Sequence, residues 1–146
     1  MLFRTMLNIP SHSPKMLLNA DLMGADVILF DLEDGVALSQ KEAARDLLCA
    51  YLSSGLSRCP AMVRVNDVNT PFFSDDIAAV LPLPILGIML PKMERPEELH
   101  YADEKMREDI WKNVLENPEI QQITTPYMKF YELKTMAEYG RFEEVM

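Results

Sequence analysis

The stretch that most constrains this chain is Asp26-Val27-Ile28-Leu29-Phe30-Asp31-Leu32-Glu33-Asp34-Gly35-Val36. Four apolar residues run straight into three carboxylates and then a glycine. An unbroken apolar run of this kind predicts a strand buried on both faces, which is the signature of a parallel sheet. Parallel strands of α/β proteins carry their functional groups at their C-terminal ends. Asp31, Glu33 and Asp34 fall at that end. Three acids in four residues repel one another, so the cluster calls for a nearby cation or arginine. The competing explanation is an ordinary acidic loop that leads into the next helix.

The rest of the chain repeats the same rhythm. Arg4–Ile9 reads as a first strand, and Ser13-Pro14 as a helix cap followed by proline at the first helical position. That helix runs to Met23 and stops at Gly24. Ser39 and Glu42 have the spacing of a capping box for a second helix, with Ala43, Leu47, Leu48, Tyr51 and Leu52 on one face. Ala61–Asn66 reads as a third strand, Thr70-Pro71 as another helix start, Ile85–Leu90 as a fourth strand, and Pro96 as the start of another helix. Four β-α units in series imply parallel strands with right-handed helical crossovers. The expected fold is α/β, a partial (β/α)8 barrel over residues 1–102 followed by an all-helical tail over residues 103–146. No strand signal interrupts the tail, where Tyr101–Glu116 and Thr124–Gly140 both read as helical.

Composition narrows the function classes. The net charge of −9 and pI near 4.7 leave no basic face for phosphate backbones, which argues against a nucleic-acid partner. Cys49 and Cys59 match no metal spacing and read as reduced thiols. Met1-Leu2-Phe3-Arg4 opens no long apolar segment, so the expectation is a cytoplasmic protein without a signal peptide or membrane span.

Six pieces in order and at consistent spacing give residues 4–102 a resemblance to the citrate lyase β-subunit and malyl-CoA lyase family. They are Arg4–Pro10 with Ser13–Met16, Gly24–Asp26, Asp31–Asp34, Lys41–Arg45, Val63–Asn66 with Thr70-Pro71, and Gly87–Lys92. The resemblance implies a (β/α)8 barrel that uses Mg²⁺ to cleave or form a carbon–carbon bond in a 3-hydroxyacyl thioester of coenzyme A. It also implies a CoA-thioester or small carboxylate substrate, and a homo-oligomer or other lyase subunits as partners. Such a reaction passes through an enolate, whose charge is best held by a metal and a fixed cation. Arg64 can present a planar fork to a carboxylate or carbonyl, with Glu33 and Asp34 orienting it. In the family the matching arginine binds substrate and the acidic motif supports it. The alternative for Arg64 is a structural ion pair with Asp31 or Glu33. Arg4 and Lys15 are the candidates for the phosphates of coenzyme A.

Two departures stand out. Ser11 occupies the place where the family usually has glycine after Pro10. The family's metal-binding Glu and Asp come from later strands, which do not follow Glu94, so no metal ligand is assigned in this chain. The segment from Asn117 through Phe142 is similar instead to part of the helical-barrel glycosidases of the α-L-rhamnosidase type. None of its residues is carried over as catalytic, and its Tyr127, Phe130 and Tyr131 stripe also fits the core of a helical hairpin. Two other functions compete with the lyase. One is a catalytically inert fusion fragment. The other is a receiver-like phosphoacceptor domain using Asp31 or Asp34 with Lys92, which would need an acid pair where this chain has Asn8-Ile9-Pro10.

Overall fold

Backbone pairing follows the apolar runs. In the computed structural model, which describes residues 3–110, four strands form one parallel sheet in the order β1-β2-β3-β4. They are β1 (Met6–Pro10), β2 (Val27–Asp31), β3 (Ala61–Arg64) and β4 (Gly87–Met89). The helices α1 (Pro14–Asn19), α2 (Lys41–Ser53), α3 (Phe73–Val80) and α4 (Pro96–Ile110) follow them in alternation. The described residues belong to one compact unit, Met1–Glu116. No described helix is long and apolar enough to cross a membrane. α4 runs without a break through residues 102 and 103. The helices expected beyond it lie outside the described residues.

Strand bounds shift from the expected ones for identifiable reasons. The amides of Arg4 and Thr5 donate to the Asp26 carboxylate at 2.8 and 3.0 Å, and the Asp26 amide donates to Thr5 Oγ1. These residues clasp the sheet's lower end, so β1 starts at Met6 and β2 at Val27. β4 covers only Gly87–Met89, hemmed in by Pro84 and Pro91, neither of which has an N–H for the ladder.

Helix starts teach a similar lesson. Ser13 caps α1 as expected, accepting from the Met16 amide, and Pro14 opens the helix. A 3-10 turn over Ala20–Met23 then stops at Gly24, whose φ of +72° suits glycine. The capping box at Ser39 does not form. A 3-10 turn over Leu38–Gln40 takes its place, and α2 begins at Lys41 with no side-chain cap. The Lys41 side chain explains the change, because it is buried against the loop after β2 rather than at a solvated helix start. Thr70-Pro71 likewise forms a turn, with Thr70 Oγ1 bonded to the Asp67 carbonyl, and α3 starts later, at Phe73.

Alternation along the strands separates two faces. Ile9, Ile28, Phe30, Ala61 and Val63 join Leu17, Ala44, Leu48, Tyr51, Leu52, Ile77 and Val80 in one core between sheet and helices. Phe30 meets Tyr51 edge to face at 5.8 Å. Register places Asn8, Leu29, Met62 and Gly87 in one row on the opposite face, with Pro10, Asp31, Arg64 and Met89 in the next. Phe30→Ala removes a fully buried ring from the core and should destabilise the fold by about 3–5 kcal/mol in a urea titration. Leu18→Ala, at an exposed site on α1, should stay within about 0.5 kcal/mol.

Candidate active site at the strand ends

The second row of the open face ends in charge. Asp31 is buried, and four donors converge on its carboxylate. Arg64 Nε and the Glu33 amide donate to Oδ1 at 2.9 and 2.7 Å. Arg64 Nη2 and the Gly35 amide donate to Oδ2 at 2.6 and 2.8 Å. The Arg64–Asp31 contact is therefore a two-pronged pair between adjacent strands in register. Burial pushes the Asp31 carboxyl up, but the Arg64 guanidinium and the two amides outweigh it and hold it below the ordinary value. The same hydrogen bond to Asp31 raises Arg64 further and keeps it a cation.

Glu33 lies beside this pair. Its Oε2 is 3.3 Å from Arg64 Nη1 and its Oε1 is 2.8 Å from Lys92 Nζ. Both oxygens are buried, and each faces one of the two cations. Asp34 is exposed and reaches Lys92 at 3.1 Å. Contacts to Glu33 and Asp34 raise Lys92, so its amine is a cation rather than a free base. Lys92 has φ of +52°, a left-handed backbone that costs a non-glycine residue about 1–2 kcal/mol.

Behind the site, α2 supplies two buttresses. Lys41 Nζ donates to the carbonyls of Leu32 and Glu33 at 2.7 and 2.5 Å. Burial lowers the Lys41 amine, and the carboxylates of Asp76, Asp31, Glu33 and Asp34 partly offset that. Arg45 Nε bonds Asp76 Oδ1 at 2.9 Å, while Asp76 Oδ2 accepts the Asn66 amide and side-chain Nδ2 at 2.9 and 2.6 Å. Asn66 follows β3, so the helix pair fixes the chain just past Arg64.

Of the expected site residues, the structure brings Arg64, Glu33 and Asp34 to one place. The first partner of Arg64 is nevertheless Asp31, and Asp34 turns to Lys92. The structural ion pair is thus present, and it orients the arginine that the catalytic reading needs. Lys15 lies in the first turn of α1, just past the C-terminal end of β1. Arg4 lies before β1, paired with Asp26 at the opposite end of the sheet. Lys41, Asp76 and Gly35 were not expected to matter. A lysine in the first turn of a helix opposes the helix dipole, and that was the available signal for Lys41.

A divalent cation does not fit these acids as arranged. Every Asp31 oxygen already holds two donors, and Glu33 sits between two cations. Among the described residues no group of three or more His, Cys, Asp or Glu side chains is gathered as a metal would require.

Parallel β-α units with a charged cluster at the strand ends define an α/β class that places its site at the C-terminal edge of the sheet. Comparison with known proteins makes this specific. The family model described as HpcH/HpaI aldolase/citrate lyase matches residues 4–120, and the chain belongs to that family. Citrate lyase subunit beta of Leuconostoc mesenteroides subsp. cremoris is 40% identical over 98 residues, covering 66% of this chain and 32% of that protein. A (3S)-malyl-CoA thioesterase of Cereibacter sphaeroides is 40% identical over 92 residues, covering 62% and 32%. Among solved structures, CitE from Mycobacterium tuberculosis in complex with magnesium, acetoacetate and coenzyme A superimposes with a TM-score of 0.56 at 32% identity, covering 66% of this chain and 35% of that one. The chain spans about a third of the length of the curated relatives it matches. The similarity of Asn117–Phe142 to rhamnosidases lies outside the described residues, and none of these relatives supports it. The family match runs across the start of that segment.

Gly35 is the residue that the Asp31 pair cannot do without, since a Cβ there would fall 2.5 Å from Asp31 Oδ2 and 3.3 Å from Pro10 Cβ. Gly35→Ala should cost about 3 kcal/mol by denaturant titration. Asp31 is lowered in the folded state, so its contribution to stability is whole above its unfolded value and is lost as pH falls through the folded one. Denaturation midpoints should therefore drop as pH falls below the ordinary aspartate value of about 4, and Asp31→Asn, less stable at pH 7, should flatten that drop.

Proposed function

We propose that these four β-α units are part of a (β/α)8 barrel and carry the carboxylate-binding side of a carbon–carbon lyase site acting on small acyl thioesters of coenzyme A. The observation that supports this best is the fixing of Arg64. Its Nε–Nη2 edge is locked to Asp31, while its Nη1 end points toward Glu33 with the side chain partly exposed. An arginine held this way presents its remaining N–H groups to a substrate carboxylate without further ordering. Glu33 and Asp34 surround that end and set its orientation and that of Lys92. As the enolate develops, the fixed positive charge of Arg64 stabilises it in a site that requires little reorganisation. Lys15, at the same end of the sheet, is the proposed contact for a phosphate of coenzyme A. Arg4 is too far from that end to share the role, because β1 is five residues and roughly 16 Å long.

Magnesium is the proposed cofactor by kinship with CitE, whose structure holds it. Its ligands are not proposed among the described residues, whose acids serve the cations. Four strands are half of the eight that a barrel needs. Another copy of the chain or another lyase subunit is the proposed partner at the sheet edges. The phosphoacceptor alternative loses support, since the sheet order 1-2-3-4 has no reversal at which such a site would lie.

The test has two arms. In calorimetric titrations the chain should bind oxaloacetate, and Arg64→Lys, which keeps the charge but not the fork, should weaken binding about tenfold. The chain alone should show no Mg²⁺-dependent cleavage of malyl-CoA or citryl-CoA. Metal-dependent turnover abolished by Arg64→Ala would show a complete site and refute the missing ligands. A well-folded chain that binds no carboxylate would favour the inert-fragment reading.

A further inference from the structure

The sheet is open at both ends, and the exposed apolar surface goes with the ends. Among the described residues no strand pairs with the outer edge of β1 or of β4. The Thr5 carbonyl accepts the Val27 amide at 3.3 Å, and the Ser11 amide donates to the Asp31 carbonyl at 2.9 Å. The odd residues of β1 therefore serve β2, and alternation turns the N–H groups of Met6 and Asn8 outward. On β4 the Met89 carbonyl accepts from Val65 at 3.3 Å, so its neighbour Ile88 faces out. Nine of the eleven large apolar side chains exposed among the described residues lie before Gly24 or after Pro84. They include Met6, Leu22 and Met23 at one end and Leu86, Leu99 and Tyr101 at the other. The two middle β-α units hold only the remaining two. Apolar surface gathered at two unpaired edges marks an interface.

Charge decides how a second copy could cover these edges. The chain carries −9, so most faces of two copies repel. The last unit is acidic, with seven Asp or Glu against four Lys or Arg over residues 85–110. The first unit, Met6–Met23, carries only Lys15 and Asp21. Last against last would press two acidic units together, and first against first would leave β4 open. First against last does neither. It also continues the sheet, because β1 of one copy beside β4 of another extends the order β1-β2-β3-β4 in the same parallel sense. Four strands from each copy make the eight that close a barrel. We propose that two copies of this chain associate about a two-fold axis, β1 of each against β4 of the other, and close one eight-stranded barrel. The two contacts are then equivalent, as that symmetry requires. The proposal rests on the partial-barrel reading and commits its partner to a second copy. Its consequence is a shared mouth. The loop after β1 of one copy, with Lys15, lies beside Lys92 of the other, and two Asp31–Arg64 pairs open into one cavity.

Sedimentation equilibrium of the full chain, read beside amide hydrogen exchange, tests it. With rising concentration the mass should climb from that of one 16.7 kDa chain to twice that value and stop. The amides of Met6, Asn8 and Ile88 should gain protection together as the dimer fills. Asn8→Pro removes an outward N–H at a position where an edge strand tolerates proline, and should weaken association at least about tenfold. Asn8→Thr keeps the N–H and should stay within about threefold of the parent. Met6→Lys, which sets a charge on the same edge, should weaken association as Asn8→Pro does and replaces it if that variant fails to fold. Protection of Met6 and Asn8 without Ile88 would mean two β1 edges paired, and would overturn the proposal. So would a mass that grows past two chains, or a monomer at every concentration. Oxaloacetate titration keeps the two readings apart. A monomer that binds it overturns only the pairing, and a dimer that does not bind it overturns only the carboxylate site.

Discussion

The Asp31–Arg64 pair is the interaction on which the strand-end region depends. It joins the last residues of β2 and β3, which are partners in register and point to the same face. A buried carboxylate is costly unless its lone pairs are filled, and the four donors on Asp31 fill them. Two of those donors are amides of the loop that follows. The charge on Asp31 therefore folds its own loop, bending Leu32–Gly35 around the carboxylate. That bend sends Glu33 toward Arg64 and Asp34 outward to Lys92. It also explains why only glycine suits position 35, where a side chain would enter the space that the carboxylate occupies. Removing one partner would leave an uncompensated buried charge, typically worth about 3–5 kcal/mol. Fold and site thus share a single constraint.

Helix α2 transmits the same constraint from behind. Lys41 ties down the carbonyls of Leu32 and Glu33, and Arg45 acts through Asp76 on Asn66. The two cations are one helical turn apart and hold the ends of two adjacent strands. Neither lies where solvent would screen it strongly, for Lys41 and Asp76 are both buried. The helix is thus more than an apolar cover for Ile28 and Phe30. Its polar contacts fix the relative height of the β2 and β3 termini, and hence the distance from Glu33 to Arg64.

The β-α rhythm was legible because each strand is an unbroken apolar run and each connection carries a turn or helix signal. The order 1-2-3-4 and the parallel sense followed from it. The acid cluster's need for a cation could also be read, and Arg64 was the right residue. What local patterns did not reveal was the identity of its partner. Parity along the strands puts residues 31 and 64 on one face, but choosing Asp31 over Glu33 depends on where the loop turns, and Asp31's own hydrogen bonds set that turn. The capping box at Ser39 failed for a related reason. Its spacing was correct, but Lys41 found a buried tertiary role that moved the helix start, and tertiary contacts outweigh a cap worth about 1 kcal/mol. Asp76 and Asn66 are ten residues apart and meet only once α3 has packed, so no local spacing announces them.

The distribution of charge also bears on what these units can do in chemistry. Asp31, Glu33 and Asp34 face Arg64, Lys92 and Lys41, three acids and three bases, so the region is close to neutral. A divalent cation would be repelled by the bases as strongly as the acids attract it. An anion meets the opposite arrangement, because the innermost acid is already saturated while two of the cations keep donors to spare. Arg64 is held by one edge only, and Lys92 leans on an exposed, replaceable carboxylate. Acidic though this segment is by sequence, its folded form pairs the acids and leaves part of the Arg64 and Lys92 side chains open to solvent. The reversal comes from geometry, since the acids spend their lone pairs on the backbone and on fixed cations, and the cations keep their outward N–H groups.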